Sequence, residues 1–90
     1  MGAALKEAVR KGEYDAAWSA WQSLVPGSVD KTVIDPILEM ALGTVGVREA
    51  REVLSACRER GLFKDEDVER EAYNSLLWYV ERKCGYPPCT

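Results

Sequence analysis

The sequence predicts an all-α fold of five helices, arranged as antiparallel helical hairpins stacked into a short α-solenoid. Three observations predict it. Glycine and proline divide the chain into helix-length stretches, several stretches carry apolar residues at helical spacing, and two of them align as an internal repeat. At 90 residues the chain has the length of one domain. We predict a helical-repeat domain over residues 1–85 and a C-terminal tail over residues 86–90.

The first two helices are marked by the residues that end them. We predict helices over residues 3–11 and 13–24, the first ending at Gly12 and the second at Pro26-Gly27. The second helix carries an apolar stripe made of Tyr14, Ala17, Trp18, Trp21, Leu24 and Val25. Two tryptophans one turn apart suit either a ligand contact or a core. Because they share their stripe with alanine and leucine, we favour core packing.

The third helix contains a proline, which has no backbone N–H to donate. Its stretch covers residues 30–42. Either Asp35 caps a helix that has Pro36 in its first turn, or a longer helix is kinked at Pro36. We favour the cap. Gly43 and Gly46 then bracket a short turn of the length that joins antiparallel helices.

The fourth helix, predicted over residues 47–60, has one apolar and one charged face. The apolar face consists of Val47, Ala50, Val53, Leu54 and Cys57, and Gly61 ends the helix. The charged residues between these positions predict a solvated surface. We interpret Cys57 as a small buried hydrophobe, because a reactive thiol needs exposure and electropositive neighbours.

The fifth helix has the widest apolar arc. We predict it from Asp65 to Lys83, since acidic residues suit a helix start and Gly85 suits its end. The arc covers about 180° and consists of Val68, Ala72, Tyr73, Leu76, Leu77, Tyr79 and Val80. One neighbouring helix hides only part of such an arc. The remainder needs a partner, another repeat or the C-terminal tail.

Trp78 lies on the opposite, polar side of the fifth helix. A large aromatic side chain on a polar face either anchors a contact or lies alone against a neighbouring helix, and both interpretations stay open. From the apolar arc and this tryptophan we predict a partner-binding surface that contains Trp78, Tyr73, Leu77 and Val80.

Two stretches of the chain align as a repeat with a period of roughly 33 residues. Residues 12–24 match residues 45–57, and each follows a shorter apolar helix. The stretches 47–54 and 57–62 resemble the second helix and closing glycine of the pentatricopeptide repeat family. The Ala-Tyr-Asn-Ser-Leu-Leu stretch, residues 72–77, resembles the opening of that family's first helix. The resemblance covers about two and a half repeats, with Pro36 and the longer linker at residues 66–69 as departures.

This resemblance implies organellar RNA as a ligand, read one base per repeat from the first helix of each hairpin. The positions carried over are Asn74 and Asp35, with Trp78 and Glu39 one turn further on, and Lys6 and Arg10 in the first helix. Asp35 and Glu39 would repel a phosphate backbone at the centre of the array, and so short an array would contact only two or three bases.

Composition argues against several classes of function. The net charge is −3, whereas nucleic-acid binders usually carry a basic excess. No apolar run approaches the roughly 20 residues that span a bilayer. The chain has no histidine and no phosphate-binding loop, nucleophile motif or paired-carboxylate motif. We therefore predict no catalytic residues, metal, cofactor or small-molecule substrate.

Two further cysteines, Cys84 and Cys89, lie near the C-terminus. Free thiols, a disulfide and half of a metal site are all open, and we favour free thiols because a zinc site needs four ligands. We expect a non-catalytic module that docks on a protein partner as a structural subunit of a larger assembly. The alternative is an RNA-binding segment of a pentatricopeptide-repeat protein. Only the family resemblance suggests a mitochondrial or chloroplast location.

Overall fold

Five α-helices make up most of the part of the chain that the structure describes. The structure is a computed structural model that describes residues 2–84, with only the backbone at residues 83 and 84. The predicted all-helical fold is confirmed for these residues, whereas the predicted tail and Gly85 lie outside them. The helices are α1 (Gly2–Arg10), α2 (Tyr14–Gln22), α3 (Lys31–Thr44), α4 (Val47–Glu59) and α5 (Glu66–Cys84).

Short turns join α1 to α2 and α3 to α4, and each turn contains a glycine with a left-handed backbone. Gly12 has φ 76° and Gly46 has φ 109°. Residues that have a Cβ rarely adopt these backbone angles, so glycine is the residue that allows the chain to reverse here. The turn at Gly12 is closed by the Glu13 N–H, which donates to the Ala8 carbonyl at 2.8 Å. Helix α1 packs on α2, and α3 packs on α4.

The helix α3 begins at Lys31, and Asp30 caps it. Asp30 is extended, with φ −108° and ψ −174°, and its carboxylate accepts from the Thr32 N–H at 2.9 Å. The predicted cap at Asp35 is therefore wrong. Pro36 lies inside the helix, at the cost of the hydrogen bond that its nitrogen would have donated to the Thr32 carbonyl. Because α3 begins further before Pro36 than predicted, its cap is Asp30, whose backbone is extended as a cap requires.

Gly43 lies within α3, so the predicted turn between Gly43 and Gly46 is shorter than expected. A Cβ added at Gly43 would lie 3.3 Å from two ring carbons and the hydroxyl oxygen of Tyr14, which is tighter than ordinary van der Waals contact. The glycine thus lets the aromatic ring of α2 lie directly on the α3 backbone. Close packing of two helices, and not the end of one, explains this residue.

The two longer linkers, residues 23–30 and 60–65, lie side by side and pair with each other. The Val29 N–H donates to the Leu62 carbonyl at 2.9 Å, and the Lys64 N–H donates to the Val29 carbonyl at 2.8 Å. These bonds form an isolated parallel β-bridge between Val29 and Phe63. Backbone groups that have no helical partner are satisfied in this way. The linkers therefore connect the first pair of helices to the second.

Arg60, just after α4, strengthens this connection. Its guanidinium donates to the carbonyl oxygens of Gln22 at 2.9 Å and Leu24 at 3.1 Å, at the C-terminal end of α2. It also lies over the Trp21 ring, 5.0 Å from the ring centroid. The last carbonyls of a helix have no partner within it, and a cation there also meets the negative end of the helix dipole.

Helix α3 occupies the centre of the molecule. It packs on α1, α2, α4 and α5, and six of its side chains are buried, namely Val33, Ile34, Ile37, Leu38, Met40 and Ala41. The Cα radius of gyration is 12.4 Å, close to the value of about 12 Å for a folded domain of this length. The smallest dimension is 18 Å, which corresponds to about two helix diameters. The helices therefore form two layers.

Truncation of a leucine in α3 and of one in α5 should have very different effects. Leu38 is fully buried, whereas Leu77 is 62% exposed. We expect Leu38→Ala to lower the free energy of unfolding by about 2–5 kcal/mol, because the cavity left behind adds to the lost transfer energy. Leu77→Ala should change it by less than about 0.5 kcal/mol. Urea unfolding followed by circular dichroism measures both, and equal losses would contradict the packing described.

The cap of α3 can be tested by replacing each of the two aspartates in turn. We expect Asp30→Ala to cost about 1 kcal/mol of stability, and Asp35→Ala less than about 0.5 kcal/mol. The Thr32 hydroxyl and amide hold the pKa of Asp30 below its ordinary value of 3.8. A carboxylate with a lowered folded-state pKa stabilises the protein above its unfolded-state pKa and loses that effect as the pH falls through the folded value.

The difference between wild type and Asp30→Ala should therefore be full at neutral pH and shrink once the pH falls below about 4. Unfolding curves measured between pH 7 and pH 2 check this. A larger loss of unfolding free energy in Asp35→Ala than in Asp30→Ala would show that Asp35 is the cap.

Candidate functional site

The last helix, α5, leaves two large apolar side chains in solvent. Leu77 is 62% exposed and Trp78 is 50% exposed. The buried stripe of the same helix is narrower than the predicted arc and consists of Val68, Ala72 and Leu76, while Tyr73, Tyr79 and Val80 are partly buried against the core. Neighbouring helices therefore cover only part of the arc within the described residues.

An apolar groove lies between α4 and α5. It has a volume of about 350 Å³ and is lined by Val47, Arg51, Tyr73, Leu76, Leu77 and Val80. We call these six residues the α4/α5 groove. Tyr73, Leu77 and Val80 reach it together because residues four and three apart share one face of a helix. Three of the four predicted partner-binding residues are thus neighbours in the structure.

A second, charged cavity adjoins the α4/α5 groove at Tyr73, which lines both. It has a volume of about 560 Å³ and is lined by Arg58, Glu66, Glu69, Arg70, Tyr73 and Asn74. Arg58 lies 3.8 Å from Glu69, and Arg70 lies 3.4 Å from Asp67. Exposed ion pairs of this kind contribute little to stability. The α4/α5 groove is therefore mostly apolar, whereas the adjoining cavity carries both signs of charge.

Trp78 does not line the α4/α5 groove. It lines a separate cavity of about 260 Å³ with Asp35, Ser75 and Tyr79, which we call the Trp78 surface. The Arg82 guanidinium lies 4.7 Å from the centroid of the Trp78 ring, and the Tyr79 ring meets it edge-on at 5.1 Å. The predicted partner-binding set is therefore divided between two faces of α5.

Acidic side chains of α3 surround the neighbouring tyrosine. Burial, followed by the charges of Asp35 and Glu39, raises the pKa of Tyr79 above its ordinary value. Both carboxylates disfavour a second negative charge nearby. Glu39 and Tyr79 also line a cavity of about 350 Å³ with Tyr14, Leu42 and Gly43. The surface between α3 and α5 is therefore both aromatic and negatively charged.

The residues predicted to contact RNA do not line one common surface. Lys6 donates to the Thr32 hydroxyl at 3.2 Å, and Arg10 forms an ion pair with Glu7. Asn74 lines the charged cavity that adjoins the α4/α5 groove, whereas Asp35 lines the Trp78 surface.

The helix register also differs from the one the resemblance implies. Asp65 accepts from the Val68 N–H at 2.9 Å, and α5 begins one residue after Asp65 just as α3 begins one residue after Asp30. Counted from these two aspartates, Asn74 corresponds to Glu39. Asp35 corresponds to Arg70.

Trp18 and Trp21 pack against the core, as favoured from their stripe. The Trp18 indole N–H donates to the Thr44 hydroxyl at 3.1 Å, and that of Trp21 donates to the Cys57 sulfur at 3.3 Å. The two rings meet edge-on with centroids 5.7 Å apart. Since both polar tips have partners inside the protein, these rings act in packing.

Cys57 is fully buried, as predicted. Burial raises the pKa of its thiol, and the Trp21 indole and the charge of Arg60 oppose that shift without cancelling it. A raised pKa leaves little thiolate, the form that reacts with electrophiles. The predictions for Cys84 and Cys89 fall on side chains outside the described residues.

Within residues 2–84, no group of three or more metal-ligating side chains comes together. No helix in that part of the chain is both long enough and apolar enough to cross a membrane.

The burial of Cys57 predicts a slow reaction with a disulfide reagent. In a variant with Cys84→Ser and Cys89→Ser, Cys57 is the single thiol of the chain. At pH 8 we expect it to react with Ellman's reagent at least about 100-fold more slowly in the folded protein than in urea, because reaction requires unfolding. The absorbance of the released thiolate gives both rates. Equal rates would contradict the burial of this thiol.

Comparison with known proteins returns no match to any protein-family model, curated protein sequence or solved structure.

Proposed function

We propose that this chain is a non-catalytic helical-repeat module that docks on a protein partner as a structural subunit of a larger assembly. The observation that carries the proposal is the exposure of Leu77, which is 62% accessible to solvent beside Tyr73 and Val80 in the α4/α5 groove. Contiguous exposed apolar surface is characteristic of interaction sites. Full burial of one leucine side chain contributes about 1.5–3 kcal/mol.

The order of helix contacts supports a short α-solenoid as the architecture of this module. Helix α3 packs on α1 and α5, whereas α1 and α5 do not contact each other in the described part of the chain. Helix α2 packs on α1 and α3, and α4 packs on α3 and α5. In a repeat array each unit contacts only its neighbours, and the last unit needs a cap to stay soluble. The exposed side of α5, at Leu77, is the place where such a cap would pack.

The electrostatics favour a protein partner over RNA. Asp35 and Glu39 put negative charge on the surface between α3 and α5, where each lines a cavity beside Tyr79. Lys6 and Arg10 already contact Thr32 and Glu7. Phosphate neutralisation by free cationic side chains supplies much of the affinity of nucleic-acid binders. The organellar RNA function implied by the pentatricopeptide-repeat resemblance is therefore an outcome to be tested.

The test is affinity capture of the chain from its native source, with and without ribonuclease, followed by mass spectrometry. We expect defined protein partners that persist after digestion, and we expect them to be lost with Leu77→Asp because a charge then enters the apolar groove. Val25→Asp is a matched control, since Val25 is also an exposed apolar residue, at 47%, but lies in the linker after α2.

Two results would contradict the proposal. One is loss of all protein partners on ribonuclease treatment together with recovery of a defined RNA that Asn74→Ala no longer binds. The other is equal loss of partners with Val25→Asp and Leu77→Asp. A steep fall in binding between low and high salt would accompany the RNA result, because bound counterions are released from the phosphates.

A further inference from the structure

We infer that the surface between α3 and α5 binds a segment of a partner protein that presents two arginine side chains about 6 Å apart, one to each of two neighbouring cavities. This binding goes beyond the proposed docking through Leu77, because it takes place on another face of α5 and does not use the α4/α5 groove. One cavity is the Trp78 surface. The other is the cavity that Tyr14 and Tyr79 line together, which we call the Tyr14 cavity.

The two cavities have the same kinds of wall. The Trp78 surface has two aromatic rings, from Trp78 and Tyr79, and one carboxylate, from Asp35. The Tyr14 cavity also has two aromatic rings, from Tyr14 and Tyr79, and one carboxylate, from Glu39. Because Tyr79 lines both, the cavities are neighbours. Aromatic rings beside a carboxylate suit a guanidinium, which stacks on the rings and donates two parallel hydrogen bonds to the carboxylate.

Both carboxylates are open to a ligand. Asp35 and Glu39 are exposed, and no cationic side chain of residues 2–82 lines either cavity. The ion pairs within residues 2–82 involve Glu7, Asp67 and Glu69 instead. Two negative charges without a cationic partner in that part of the chain favour a positively charged ligand and disfavour a phosphate backbone.

The chain itself shows that a guanidinium stacks on Trp78. The Arg82 guanidinium lies 4.7 Å from the centroid of the Trp78 ring. Arg82 does not line the Trp78 surface, and Trp78 is still 50% exposed. A guanidinium from a partner can therefore reach the ring from the side on which Asp35 lies.

The aromatic walls are in place before a ligand arrives. The Tyr14 ring lies on the α3 backbone at Gly43. Tyr79 is partly buried against the core and meets the Trp78 ring edge-on. Side chains that are already ordered lower the entropic cost of binding, since fewer of them must be immobilised.

The positions of the carboxylates set the spacing of the two arginines. Asp35 and Glu39 are four residues apart, so they lie on one face of α3 and about 6 Å apart along its axis. In an extended segment, side chains two residues apart point to the same side and are separated by about 6.6 Å. Two arginines with one residue between them can therefore reach both carboxylates at once.

A short peptide tests this binding. It has the sequence Gly-Ser-Arg-Thr-Arg-Ser-Gly with blocked ends, and a matched peptide has citrulline in place of both arginines, which keeps the shape and removes the charge. Titration into the isotope-labelled full chain is followed by NMR. The backbone amides of α3 and α5 give the dissociation constant. The indole signal of Trp78 reports on the site, and that of Trp21, which donates to Cys57, is the internal control.

We expect the arginine peptide to shift the Trp78 signal and not the Trp21 signal, with a dissociation constant of about 1 mM or below at low salt. The citrulline peptide should bind at least about tenfold more weakly, because it offers no charge to the carboxylates. High salt should weaken the arginine peptide, since the carboxylates are exposed.

Variants of the chain locate the two arginines. Asp35→Asn and Glu39→Gln should each weaken binding at least about threefold, and so should Trp78→Ala. Arg82→Gln should tighten binding, because it removes a competing cation from the Trp78 ring. Glu52→Gln is the matched control, since it removes one exposed carboxylate of α4 that lines neither cavity, and it should leave the affinity unchanged. An unaltered unfolding midpoint shows that each variant folds.

Several results would overturn the inference. Equal affinity of the arginine and citrulline peptides would show that charge is not recognised. Equal losses with Glu52→Gln and Asp35→Asn would show that only the net charge matters. Displacement of the peptide by an equal concentration of spermine would make a small polyamine the ligand. An RNA oligonucleotide that binds more tightly than the peptide, and is lost with Trp78→Ala, would make this an RNA surface.

Failure here is separable from failure of the proposed function. If captured protein partners are lost with Leu77→Asp, but the arginine peptide leaves the Trp78 signal unshifted, this inference is overturned and the proposed docking stands. If the peptide binds as expected, but Val25→Asp and Leu77→Asp lose captured partners equally, the arginine site stands and the proposed docking through Leu77 is contradicted.

Discussion

The contact on which the rest of the structure depends is the connection between the two linkers, closed by Arg60. Each pair of helices on its own would bury little apolar surface, so the pairs need each other. The β-bridge between Val29 and Phe63 aligns them, and Arg60 holds the end of α2 through charge-assisted hydrogen bonds to two carbonyls. This alignment sets α5 beside α3 and so creates both the α4/α5 groove and the Trp78 surface.

Much of the fold was predictable because its signals are local. Glycines with left-handed backbones end or begin helices, and apolar stripes show which face is buried, as at Ala50, Leu54 and Cys57. The errors also have local causes. Asp30 precedes α3 and Asp35 lies within it, and either can cap a helix by its residue type. The sequence alone does not show that Asp30 is the cap and that Pro36 is tolerated six residues later, inside the helix. Gly43 resembles a turn residue until the Tyr14 ring is seen against it.

The candidate site was predictable to a smaller extent. Helical spacing places Tyr73, Leu77 and Val80 on one face of α5, and it places Trp78 on another face. The other walls of the groove, Val47 and Arg51, come from α4, and no pattern within α5 indicates which residues of α4 lie opposite. Arg60 was missed for a related reason. A helical wheel represents it as one more surface charge, while its partners are backbone oxygens far away in the sequence.

The central position of α3 has a consequence for cooperativity. Arrays of helical repeats often lose their units one by one, because each unit contacts only its neighbours. Here α3 packs on every other helix of the described chain, so it cannot open without releasing both pairs at once. We therefore expect the amides of α3 to exchange with solvent through global unfolding, and those at the ends of α1 and α5 to exchange through local opening. Residues 2–84 are thus expected to unfold as a single cooperative unit, with Leu77 of α5 left exposed on its surface.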